Sequence, residues 1–325
     1  MPASKIVITG AAGFVGSYLV TLLRQRFPGA TIVPTSNFIP PGSRPDAFTL
    51  LDITDQDAVA QMLIDLQPSH IVHLAAVPTV AGVKGDLDGS WRINVMATLN
   101  LADAILTHAP QCALIFAGSA EVYGASAGTK ECLDEDTLLA PTSEYAASKA
   151  AADLALGAFA WRGLKVLRFR PFNHTGPRQS TAFVVPAFAE QIALIEAGRQ
   201  PPVMMVGNLD AERDFLDVRD VVDAYALGVE RSDELPSGAI INLASGQARR
   251  VGDILDRLLS LSSARIDVRR DPARQRPNEL RRYYGDPSRA RDLLGWAPRH
   301  TFDSTIADVL AFWRGVHAVP SAAEA

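Results

Sequence analysis

Lys5-Ile6-Val7-Ile8-Thr9-Gly10-Ala11-Ala12-Gly13-Phe14-Val15-Gly16 is the stretch that decides the fold. Its first five residues are rich in β-branched side chains and suit a buried strand, which Gly10 ends. From residue 14 to residue 27 apolar residues recur at helical spacing and stop at Pro28-Gly29. Three glycines therefore stand between a strand and a helix. Gly10 allows the tight turn, Gly13 lets backbone N–H groups approach a pyrophosphate, and Gly16 permits close packing of helix on sheet. The helix N-terminus, with Phe14 and Val15 in its first turn, faces the negative charge. In that context the glycines read as a dinucleotide-binding loop.

The same alternation continues outward. Strands are expected at 31–35, 48–51, 70–74, Ala113–Ala117 and 164–169. Helices are expected from a capping box at Thr54-Asp55-Gln56-Asp57 to about Leu66, over 90–108 and over 143–162. Strand and helix in alternation predict right-handed βαβ units: an α/β fold with a Rossmann-type doubly wound parallel sheet over residues 1–172. Beyond Arg170 prolines break the chain into shorter pieces. Helices are expected near 185–198, 218–230, 251–261 and 303–313, and strands at Val203–Val206 and 239–242. This half reads as a smaller mixed α/β substrate lobe over 173–318, placed over the carboxyl ends of the strands, with about 214–245 returning to the first domain. Residues 319–325 read as a disordered tail.

With 325 residues, 48% hydrophobic and 21% charged, the chain can bury a full core. A net charge of -5 and a pI near 5.7 argue against nucleic acid as a partner. Cys112 lies in an apolar run, which argues against a disulfide framework linking it to Cys132. His70 and His73 flank a strand-like run and would point to opposite faces, so they read as core or strand-end residues rather than metal ligands. The N-terminus enters a strand at once, leaving no room for a signal peptide, and no apolar stretch reaches membrane-spanning length. A soluble, cytoplasmic protein is expected.

NAD binders usually carry an acid at the end of the second strand for the ribose 2′-OH. Here that stretch is Thr35-Ser36-Asn37. Ser36 and Asn37 suit a hydroxyl or a phosphate, and Arg44 is close in sequence, so NADP(H) is expected with tolerance for NAD(H), unless a loop residue elsewhere sets the preference. Asp52-Ile53 is placed to meet the adenine, and His73-Leu74-Ala75-Ala76 to form a small-residue floor near the pyrophosphate.

Tyr145-Ala146-Ala147-Ser148-Lys149 puts a phenol and an ammonium four residues apart on one helix face. A phenol of ordinary acidity exchanges protons poorly at neutral pH, and a neighbouring cation favours its phenolate. Lys149 would supply that field and bond the nicotinamide ribose. Ser119, after the fifth strand, would hydrogen-bond a substrate carbonyl or hydroxyl. A bare YxxxK is common; its place one helix beyond a strand ending in Gly118-Ser119 gives it meaning.

At this point the chain resembles the extended short-chain dehydrogenase/reductase family of nucleotide-sugar epimerases, dehydratases and reductases. The matching residues are Gly10, Gly13 and Gly16, His73 to Ala76, Asn94-Val95 with Thr98 and Asn100, Ser119 with Glu121-Val122-Tyr123-Gly124, Tyr145 with Lys149, and Arg170-Pro171-Phe172-Asn173. The resemblance implies Ser119, Tyr145 and Lys149 as the catalytic triad, with Glu121 beside them. It implies Asn94 as support for the active-site backbone near the cofactor, Phe172 on the cofactor side, and Asn173 on the nucleotide-sugar phosphates.

Val206-Gly207-Asn208-Leu209-Asp210-Ala211-Glu212-Arg213-Asp214-Phe215 and Arg276-Pro277-Asn278-Glu279 resemble segments of the enzymes that handle GDP-linked sugars. Arg213 and Arg276 offer planar forks for phosphate oxygens, and Glu279 an acceptor for a ribose diol or guanine edge. The competing reading pairs these arginines with Asp214, Asp217 or Asp220; Arg265, Arg269, Arg270, Arg281 and Arg282 are taken as such surface pairs. Two chemistries then compete. A 4,6-dehydratase needs a base at C5, which Glu121 matches, and an acid for the departing hydroxide, where Ala120 stands. Without that acid, elimination loses about 10²–10⁴ in rate. A 4-ketoreductase needs only hydride and a proton from Tyr145. The stretch Arg170 to Ser180, with Phe183-Val184 after it, also looks more like reductases of GDP-4-keto-6-deoxy sugars. The expected substrate is thus a GDP-linked 4-keto-6-deoxyhexose and the product GDP-rhamnose, with a 4-epimerase or a non-catalytic cofactor sensor as alternatives. The resemblance also implies a homodimer through the helices at 90–108 and 143–162.

Overall fold

The computed structural model describes residues 4–44, 46–78, 80–274 and 280–318. The first strand, β1 (Lys5–Thr9), leads into α1 (Phe14–Arg26), then β2 (Thr31–Ser36), β3 (Thr49–Leu50), α2 (Gln56–Leu66) and β4 (His70–His73). Next come α3 (Val80–Gly85), α4 (Leu87–Trp91), a π-helical turn (Arg92–Ala97) and α5 (Thr98–His108). After β5 (Ala113–Ala117) a 3₁₀ segment (Ala120–Gly128) precedes α6 (Glu144–Trp161) and β6 (Val166–Pro171). The rest comprises β7 (Asn173–Thr175), α7 (Val184–Glu196), β8 (Val203–Val206), β9 (Glu212–Asp217), α8 (Val218–Arg231) and β10 (Ala239–Leu243). It ends with β11 (Ala248–Arg250), α9 (Val251–Ser260), β12 (Asp267–Arg270), β13 (Arg282–Tyr283), α10 (Ser288–Leu294) and α11 (Phe302–His317).

Seven parallel strands form one sheet in the order β10-β6-β5-β4-β1-β2-β3. Its apolar strands are buried on both faces, as a parallel sheet requires. On one side Leu19 and Leu23 of α1 pack with Val221, Tyr225 and Val229 of α8. On the other, Leu63, Leu101, Ile105 and Leu156 of α2, α5 and α6 close the second layer. Each such leucine contributes about 1.5–3 kcal/mol of burial. The doubly wound α/β fold expected from the alternation is present. A further cluster joins α7, α9 and α11 around Phe188, Ile192, Leu255 and Leu310. Beside it β9 pairs with β7, β11 and β13, and β8 pairs with β12.

Several elements differ from expectation in detail. The capping box opens one residue later: Asp55, not Thr54, is the cap of α2 and accepts from Ala58 N, while Thr54 bonds Asp52. The carboxylate of Asp55 satisfies one orphan N–H without a reciprocal partner. The helix expected over 90–108 is broken by the π-helical turn, which inserts an extra residue into the ladder and swings Asn94 inward. Of the strand expected at 48–51, two residues pair. The segment 319–325 lies outside the described residues.

Candidate active site

The carboxyl ends of β1, β2, β4, β5 and β6 open into a cleft of about 840 Å³ whose far wall is formed by β7, β9 and the start of α7. The glycine loop forms one end. Gly10 has φ +68°, and a Cβ there would lie 2.8 Å from the Ala75 backbone; at Gly16 it would lie 2.6 Å from Ala11 Cα and O. Gly16 therefore serves the loop's own closure more directly than helix–sheet packing. No side chain caps α1, and its first turn carries no acid, so its N–H groups remain for an anion.

At the second strand Ser36, Asn37 and Phe38 line the cleft, with Asp52 and Ile53 opposite. Arg44 is turned to other work: its guanidinium forks onto exposed Asp46, at 3.0 and 2.6 Å. It is not among the cleft residues. Leu74, Ala75 and Ala76 form the floor. His73 is buried just before them, and its tautomer follows from its partners. Thr98 Oγ1 donates to Asn94 O, so it must accept from His73 Nε2–H at 3.0 Å; Nδ1 then accepts from Thr9 Oγ1 at 2.7 Å. Burial and Lys149 hold this imidazole neutral, pushing it down to about 3. Asn94 is also buried: its Oδ1 accepts from Val77 N, and its Nδ2 donates to Val77 O and Ser148 Oγ. Among the described contacts it holds the floor and α6 together from behind rather than facing the cleft.

Ser119 follows β5 and caps the 3₁₀ segment, its Oγ accepting from Glu121 N at 3.2 Å. Its own proton is left to point elsewhere. Glu121 is exposed to the cleft, whereas Ala120 is buried and its carbonyl accepts from the Tyr283 hydroxyl. Ser143 caps α6 and sets Tyr145 in its first turn, at the cleft wall. Burial pushes the Tyr145 phenol up to about 12; Ser119 draws it down, and the Glu121 charge adds to the rise. Lys149 is buried, donates to Ala117 O at 2.7 Å and lies 4.8 Å from the Phe116 ring centroid. Desolvation lowers it to about 8 against the pull of Asp153. The phenol expected to be made more acid is raised here, with burial the largest cause. The ammonium is engaged with a carbonyl and a ring, and burial decides the phenol.

Phe172, Asn173, Val184 and Arg213 all line the cleft. Arg213 donates to Glu212 O and Leu280 O; of the carboxylates named with it, Asp214 accepts from Ser245 N and Gly246 N, Asp217 pairs with Arg219, and Asp220 with His300. Arg269, Arg270 and Arg282 do form surface pairs, with Asp267, Asp210 and Glu212. Arg276 and Glu279 lie outside the described residues. Sequence reasoning missed His174, Gln179, Thr181, Gln191 and Tyr283 in the cleft. His174 and Gln179 stood in a stretch already singled out; Tyr283 arrives only through the pairing of β13 with β9.

A glycine loop at the first strand of a doubly wound sheet, with Ser119, Tyr145 and Lys149 gathered near the carboxyl end of the fifth, defines an oxidoreductase of the short-chain dehydrogenase/reductase type. A family model described as GDP-mannose 4,6 dehydratase matches residues 7–309, and the chain belongs to that family. It is 32% identical to "GDP-6-deoxy-D-mannose reductase" of Pseudomonas aeruginosa, over 95% of this chain and 97% of that one. Its fold matches the structure of RMD from Pseudomonas aeruginosa complexed with NADPH at a TM-score of 0.81, with 29% identity over 96% of this chain and 99% of that chain. It matches the UDP-glucose 4-epimerase of Thermus thermophilus in complex with NAD at 0.82, with 28% identity over 97% and 100%. The chain is an NAD(P)-dependent enzyme of the nucleotide-sugar group.

Proposed function

We propose that the protein reduces the C4 ketone of GDP-4-keto-6-deoxy-D-mannose to GDP-D-rhamnose with NAD(P)H. The observation that carries this reading is Ala120, a buried methyl at the position where elimination needs an acid, its carbonyl tied to Tyr283. The similarity to a reductase along nearly the whole chain supports it. The glycine cradle, the uncapped start of α1, and Ser36, Asn37, Asp52 and Ile53 fit a dinucleotide, with Leu74 to Ala76 and Phe172 around it. The absence of an acid at Ser36-Asn37 favours NADPH.

The reduced nicotinamide supplies the hydride. Tyr145, which keeps its proton across the neutral range, gives it to the C4 oxygen, and Ser119 donates a hydrogen bond to the same oxygen. Lys149 holds the nicotinamide ribose. Asn173, Val184 and Arg213, with Arg276 and Glu279, hold the GDP moiety in a lobe spanning 173–318, apart from about 214–245. A homodimer through α5 and α6 completes the reading; Leu154 and Trp161 stand exposed on α6.

Glu121 in the cleft favours a second reading, a GDP-mannose 4,6-dehydratase. The two separate in one assay: GDP-mannose and GDP-4-keto-6-deoxymannose, each with NADH and NADPH. Cofactor consumption only with the keto sugar is expected. Conversion of GDP-mannose to the keto sugar without net cofactor consumption would overturn the reductase.

A further inference from the structure

Asp153 lies four residues beyond Lys149 on α6, about 6 Å along the helix axis, and is wholly buried. Both side chains meet the exit of β5. Lys149 Nζ bonds the Ala117 carbonyl, and the Asp153 Oδ2 atom lies 3.7 Å from where a Cβ on the next residue, Gly118, would stand. Ser119 follows directly. Two arginines of β6 fix the carboxylate: Arg170 through Nε and Nη2 at 3.0 and 2.9 Å, and Arg168 through Nη1 at 3.0 Å. A buried charge costs several kcal/mol unless compensated, so a buried carboxylate with two guanidiniums beside a buried ammonium is a coupled set.

We propose that Asp153 is a positioning residue for Lys149, a fixed counter-charge one helical turn behind the ammonium. The proposal rests on Lys149 being the cation that meets the nicotinamide ribose. The described charged or titratable groups that act on Lys149, or on its α6 neighbours Tyr145 and Asp153, are His73 on β4, Arg168 and Arg170 on β6, Glu121 in the 3₁₀ segment and Tyr225 on α8. His73 is neutral and Tyr145 protonated at neutral pH, and Glu121 acts on Tyr145. Asp153 is thus the anion that opposes the desolvation of Lys149. It is buried and does not line the cleft.

The test is NADPH affinity by fluorescence from pH 6 to 10, which needs no sugar. The wild-type chain is expected to bind evenly at low pH and to weaken as pH rises through about 8, where Lys149 loses its proton. Asp153→Asn moves that break down by about 1–3 units, the scale of a lost neighbouring charge. Arg168→Met, which removes one competitor for the carboxylate, moves it up. An unchanged break in folded Asp153→Asn overturns the proposal; if that variant does not fold, an unchanged break in Arg168→Met does so. Sugar turnover is measured separately. Its absence alongside the expected shifts overturns the proposed substrate and leaves the role of Asp153 standing.

Discussion

Thr175 Oγ1 and Gln179 Oε1 are buried without a hydrogen-bond partner among the described residues, although Gln179 Nε2 is used on His174 O. An unmade bond of this kind costs more than a made one contributes. Thr175→Val keeps the shape and removes the orphan, so it is expected to stabilise the fold by about 1 kcal/mol, read as a rise in Tm. A fall in Tm would mean the hydroxyl has a partner. Tyr145→Phe is expected to lower reductive turnover by about 10²–10⁴ while NADPH still binds. That Tyr145 and Lys149 share one helix and that Ser119 follows a strand was legible from spacing. Their protonation was not. The phenol's rise to about 12 depends on how tightly α6 is covered, and Lys149 turns to a carbonyl that only the folded β5 presents.

At the scale of elements, long amphipathic and apolar runs were readable, and short paired ones were not. β13 has two residues and β11 three, and both make their hydrogen bonds with the distant β9, so nothing in their own composition marks them. The π-helical turn was hidden for a related reason: its residues continue the helical pattern, and the bonds that Asn94 makes from it, to Val77 and Ser148, are with distant segments. Asn94→Ala leaves the Val77 N–H without its acceptor and is expected to cost about 1–3 kcal/mol in urea denaturation. An effect below about 0.5 kcal/mol, within the range of ordinary surface changes, would discount the clamp. Gly16→Ala forces a methyl to 2.6 Å from the Ala11 backbone, where nothing flexible can yield. Loss of NADPH affinity by roughly tenfold or more, equivalent to about 1.4 kcal/mol, is expected in a fluorescence titration.

For the whole molecule, assembly is the prediction most open to direct measurement. Trp161 is 95% exposed and Leu154 60%, both on α6. Replacing both with glutamate is expected to give monomers in sedimentation analysis if α5 and α6 pair between copies; an unchanged mass would place the interface elsewhere. The chain's path has another consequence. It leaves the seven-stranded sheet after β6, returns for α8 and β10, and leaves again before α10 packs back on the first core. Asn173, Val184 and Arg213 sit on one excursion from the sheet, but the elements that complete their wall, β11, α9, β13 and α11, come from chain that follows α8 and β10. No single cut lifts it out. A change of sugar preference cannot arise by exchanging a module; it must come by altering loops one at a time, inside a frame that has to keep folding throughout.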